Sequence, residues 1–237
     1  MNIRVLMIVA VASAQIGAAP ASDPKALRIM AACKAATGGP ALDRPDAFRE
    51  TGTMIRDGKA GTYETFGDLG SLRSSSAQTF DGKTRRAGFD GRASWQVGPD
   101  GVANVATDEP TLRGERLGTY LTLSGYLYPR RFPATFHYIG RRATAGRVYD
   151  VVSVTPEKAD SVQLWIDART HRVAHLEADA GGRSIVGDVT DYRLVSGTWV
   201  GFALRIVQGG HEVRLRLSSF AYVHRDETLF RAPATDR

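Results

Sequence analysis

Residues 147–192 constrain this chain most, because they read as four strands in succession whose turns are too short to hold a crossover helix. Residues 149–155 are rich in β-branched side chains and end at Pro156, which cannot donate to a strand ladder. Residues 161–167 alternate, with Val162, Leu164 and Ile166 in one phase. A turn over 168–171 leads into 172–179, where Ala174, Leu176 and Ala178 share a side, and Gly181-Gly182 then reverses the chain into 184–192. The unit is an antiparallel meander.

The same punctuation recurs on both sides of it. Turns at Asp57-Gly58, Gly70-Ser71, Asp81-Gly82, Asp90-Gly91 and Asp100-Gly101 divide residues 47–106 into about five or six more strands. Phe89 and Trp95 sit close to these turns, which puts large apolar groups near a sheet rim, although core packing is the commoner use of an aromatic. Residues 200–207 continue the pattern, and residues 212–217 alternate strictly until Ser218-Ser219, where a bulge would keep Phe220 and Tyr222 on the apolar face. These segments amount to a curved antiparallel sheet of about 11 strands in a mainly β protein.

Two segments break the β pattern. Ser22 or Asp23 can cap a helix that has Pro24 in its first turn, an apolar stripe of Ala26, Ile29, Met30 and Cys33, and a stop at Gly38-Gly39-Pro40. Further on, Asp108-Glu109-Pro110 starts a helix with Leu117, Tyr120, Leu121 and Ser124 at helical spacing, ended by Gly125 and Pro129. Gly114 and Gly118 weaken it by roughly 1 kcal/mol each relative to alanine, so it is either a mobile lid or a permanent cover on the sheet. Cys33 is expected to be a packed helix residue rather than a lipid attachment point.

Residues 1–21 read as an export signal: Arg4, an apolar run over 5–16, then Ala19-Pro20-Ala21, with cleavage expected after Ala21. That run is shorter than the about 20 residues a membrane-spanning helix needs. A single domain over 22–237, periplasmic or secreted and monomeric, is the expectation. The lone cysteine cannot form an internal disulfide. The formal charge of +6 is spread over isolated arginine pairs, so a solvated basic surface is favoured over nucleic-acid binding.

No catalytic pattern stands out. His171 and His175, placed on one strand, would lie roughly 13 Å apart, too far to share a metal, and His211-Glu212 lacks the second histidine of a zinc-protease helix. No serine elbow, Walker loop, dinucleotide fingerprint or aspartic-protease triplet occurs. A hydrolase would need a carboxylate pair that the sequence does not reveal. The expectation is a protein without catalytic activity or cofactor.

In their order and spacing, Phe89-Asp90-Gly91 with Trp95, Asp100-Gly101, Gly146-Arg147 with Tyr149 and Thr155-Pro156, Leu164-Trp165-Ile166-Asp167 with Thr170, Asp191-Tyr192 with Gly197, and Leu229-Phe230 with Pro233 resemble the LolA/LolB-like lipoprotein carrier superfamily. Within it the chain is most similar to exported β-rich domains that sometimes precede an aspartic protease domain. The resemblance implies an incomplete antiparallel β-barrel wrapped around an N-terminal and an inserted central helix, with an apolar cavity for lipid or lipoprotein acyl chains. Val200-Gly201-Phe202 departs from relatives that carry a proline after the Asp-Tyr strand. The alternative is an accessory domain of the same fold that binds a protein partner in the cell envelope. Candidate cavity residues are Trp95, Leu117, Tyr120, Leu121 and Trp165, the large groups on the inserted helix or near the rim.

Overall fold

A computed structural model describes residues 21–180 and 183–233, so all of the expected 1–21 leader but Ala21, and the Gly181-Gly182 reversal, lie outside the described residues. The chain opens with α1 (Pro24–Thr37), whose N-cap Asp23 accepts a hydrogen bond from the Ala26 N–H at 2.7 Å. Six strands follow: β1 (Ala47–Arg56), β2 (Lys59–Asp68), β3 (Arg73–Phe80), β4 (Lys83–Phe89), β5 (Ser94–Val97) and β6 (Ala103–Ala106). Next come α2 (Glu109–Thr122), capped by Asp108, and β7 (Ala134–Thr144), β8 (Arg147–Pro156), β9 (Val162–Asp167), β10 (Val173–Ala180), β11 (Arg183–Val195), β12 (Thr198–Gln208) and β13 (His211–Val223).

The 13 strands of the described residues belong to one unclosed antiparallel sheet in the order β6-β5-β4-β3-β2-β1-β13-β12-β11-β10-β9-β8-β7. The expectation of about 11 strands is therefore low by two; among those not singled out in the sequence is the long β7, closed onto β8 at Ala145-Gly146. Two up-and-down meanders, β1–β6 and β7–β13, meet where β1 pairs with β13. Strands β6 and β7 are neighbours in sequence but form opposite edges of the sheet, so the segment containing α2 must cross the opening between them. Hairpins at Asp57-Gly58 and Ser196-Gly197 hold both central residues at positive φ, the backbone whose twist suits a two-residue turn.

The bulge is where the sequence places it. Thr51 pairs with Ser219 and Gly52 with Leu217, so Ser218 has no partner on β1 and the strand changes phase there. Leu215, Leu217 and Phe220 consequently pack in one cluster with Met54 and Tyr63. The larger cluster lies between the concave face and the helices. It joins Ala26, Met30 and Cys33 of α1 and Leu117 and Tyr120 of α2 to Val162, Leu164 and Ile166 of β9. Each large aliphatic group removed from water there contributes about 1.5–3 kcal/mol.

The convex face has its own cover. The C-terminal turn Glu227–Phe230 lays Phe230 over Trp95, whose indole N–H donates to the Phe230 carbonyl at 3.4 Å. Arg73 ties this turn down by bonding both Glu227 and the fully buried Asp68.

Candidate functional site

Curvature alone leaves a hollow, and α1 and α2 cover it without filling it: a cavity of about 900 Å³ remains between the helices and the concave face. Its two walls differ in chemistry because they come from different meanders. The β10–β13 wall is largely apolar, with Leu176, Ile185, Val189, Leu204, Ile206 and Leu215, while Asp188, Arg205 and Gln208 also border the cavity.

The β1–β3 wall is polar, and strand register builds it row by row. Glu50 pairs with Thr65, which pairs with Ser76; in the next row Gly52 pairs with Tyr63, which pairs with Gln78; on the other side Phe48 pairs with Gly67, which pairs with Ser74. Directly paired residues point to the same side of a sheet, and Glu50, Tyr63, Thr65, Ser74, Ser76 and Gln78 all line the cavity.

Glu50 is the unusual group on this wall. Burial pushes its carboxyl up to about 7, opposed only by a hydrogen bond from Thr65, and no cation contributes. Beside it, Tyr63 is 6% exposed and its hydroxyl has no hydrogen-bond partner among the described residues. The nearby Glu50 charge adds to burial in raising the Tyr63 phenol. From α2, Glu115 also lines the cavity; burial raises its carboxyl, opposed by a hydrogen bond from Ser94.

The floor near α1 carries Cys33, whose thiol burial pushes up to about 12, and a ring of tyrosines. Tyr192 donates to the Val173 carbonyl at 2.7 Å, and the Tyr222 hydroxyl lies 2.8 Å from that of Thr198. Among the described residues no group of three or more His, Cys, Asp or Glu is placed to hold a metal ion. His171 is not on a strand with His175: it occupies the turn before β10 at φ 54°, while His175 lies on β10 and bonds Asp188 and Glu177.

The cavity brings together two of the five residues expected from the sequence. Leu117 and Leu121 line it from α2. Tyr120 is on the same helix but buried in the core, its ring against Gly125. Trp95 is displaced by strand alternation: Ser94 pairs with Phe89, which pairs with the cavity-lining Ser74, so Trp95 faces the convex side. Trp165 stands between the core residues Leu164 and Ile166 and points the other way, edge-on to Tyr149 and His175.

The sequence reasoning missed Glu50, although a signal existed: it is an acid in phase with the buried Phe48 and Met54 of its strand. Gly114 and Gly118 acquire a second meaning, since both line the cavity and a methyl group at either would meet open space.

No protein-family model matches the sequence, and no curated protein matches it significantly. Solved structures do. A LolA superfamily protein from Nitrosomonas europaea superposes with a TM-score of 0.59 at 13% identity, covering 87% of this chain and 97% of its own. A putative outer membrane lipoprotein-sorting protein domain from Vibrio parahaemolyticus gives 0.55 at 13% identity, covering 84% and 92%. A DUF1329 family protein from Desulfovibrio piger gives 0.59 at 13% identity, covering 91% and 100%. The chain has the LolA-like fold, an unclosed antiparallel barrel with helices.

Proposed function

We propose that this protein is an exported, non-catalytic binding protein whose cavity accepts the acyl chain of a lipid or lipoprotein. The observation that carries the reading is the cavity of about 900 Å³ with one long apolar wall, at the upper end of the roughly 300–1,000 Å³ typical of ligand pockets. The shared fold with a structure described as a putative lipoprotein-sorting domain supports it. At about 0.8 kcal/mol per buried CH₂, a chain of about fourteen carbons offers on the order of 10 kcal/mol gross, against roughly 4–15 for association. Binding of that strength is reversible, as a carrier requires. Leu117 and Leu121 would contact the chain.

Export rests on the leader pattern. N-terminal sequencing of the protein from a cell-envelope fraction should begin at Ser22; an intact Met1 in the cytoplasm removes the export reading. Native mass spectrometry of the same preparation should show acyl-chain adducts. Repeated absence of adducts, together with no uptake of a fluorescent fatty acid, overturns the binding reading, and a stoichiometric protein partner captured by cross-linking would then favour an accessory role.

A further inference from the structure

We propose that the cavity is built for an amphiphile with a protonated amine head, seated on Glu50 and Tyr63 with its alkyl chain along the β10–β13 wall. This rests on the acyl-chain reading above and names its head group. Three observations converge on it.

Glu50 is a lone carboxylate projecting into the cavity from the middle of β1, paired across the sheet with Thr65 and Phe220 rather than with any cation. Removing a carboxylate from water without a partner is costly, and an ammonium group supplies what is missing as a charge-assisted hydrogen bond. Independently, the Tyr63 hydroxyl, nine-tenths buried and lining the same cavity, has no partner among the described residues. Its oxygen can accept a second N–H of the amine, and the hydroxyl of Ser74 or Ser76 on the adjacent strand can accept the third.

The third observation is the sign of the field. A second carboxylate, Glu115, faces the cavity from α2, so an anionic head would meet two like charges. Neither nearby arginine offsets them: Arg205, which borders the cavity, is paired with Glu212 and Asp188, and Arg56 lies six residues beyond Glu50 on β1 and donates to Gln78 at 2.7 Å. An alkylamine satisfies both walls at once, whereas a fatty-acid anion satisfies only the apolar one.

The test titrates the full chain at pH 8 with decylamine, decanol and decanoate, each below its micelle concentration, by calorimetry. Decylamine should bind about tenfold or more tightly than decanol, and decanoate should bind weakest. Glu50→Gln should abolish the preference, bringing decylamine to the level of decanol measured on the same variant, and an unchanged far-ultraviolet circular dichroism spectrum reports that the variant is folded. Equal binding of decylamine and decanol to the unaltered protein overturns the amine assignment and leaves the acyl reading standing. An amine preference that survives Glu50→Gln overturns the role of Glu50. Binding of none of the three overturns the acyl reading itself. The unaltered protein decides the main question even if the variant fails to fold.

Discussion

Glu50 couples the cavity to pH. Its carboxyl moves from an ordinary 4.5 up to about 7 on folding, so between those values the folded state holds a proton that the unfolded chain has released. Its contribution to stability is complete below 4.5 and is lost as pH rises through about 7. The loss is on the order of 3 kcal/mol. Urea unfolding at pH 5 and pH 8 should show this decline in the unaltered protein, and Glu50→Gln should flatten it; an undiminished slope in the variant would assign the proton elsewhere. Asp68 is a fully buried acid that Arg73 and the N–H groups of Gly70 and Ser71 satisfy. Asp68→Ala leaves the Arg73 guanidinium with Glu227 alone and the Gly70 and Ser71 N–H groups without their acceptor, and should cost about 1–3 kcal/mol in the same assay.

Among the elements, α2 holds the greatest tension between stability and purpose. Gly114 and Gly118 loosen a helix whose neighbours Leu112, Leu117 and Tyr120 are buried, yet a side chain at either glycine would occupy the cavity. Gly114→Ala should raise stability by about 0.5–1 kcal/mol with little change in ligand uptake. Gly118→Trp should leave the melting temperature within a few degrees and reduce binding of a fluorescent fatty acid about tenfold; unchanged uptake would place the ligand away from this helix. The element boundaries were largely legible in sequence because their causes are local: Asp23-Pro24 and Asp108-Glu109-Pro110 start the helices, aspartate-glycine pairs turn the hairpins, and Ser218 breaks an alternation. The cavity wall was less so. That Glu50, Thr65 and Ser76 form one row depends on register between separate strands, and that Trp95 and Trp165 face outward depends on which side of the sheet the helices cover.

For the molecule as a whole, the consequential arrangement is that two differently patterned meanders share one hollow. The first contributes carboxyl and hydroxyl groups, the second aliphatic ones, and α2 spans the opening because β6 and β7 end at opposite edges. The β7 edge is covered by the segment before α1: Asp23 donates its N–H to the Phe136 carbonyl at 3.0 Å and accepts from the Tyr138 N–H at 2.7 Å. Asp23→Ala therefore removes a helix cap and the side-chain half of the edge cover together, and should cost about 1–2 kcal/mol in thermal unfolding. A loss of less than a few tenths would show that the edge needs no such cover.

The seam between β1 and β13 unites the first strand of the sheet with the last. During vectorial synthesis β1 must wait for nearly the entire chain before its missing neighbour arrives, and such long-range closure is slow. Nascent chains arrested just short of residue 211 should stay sensitive to protease and self-associate through two bare ladders, whereas release of the last strand should confer resistance in a single step.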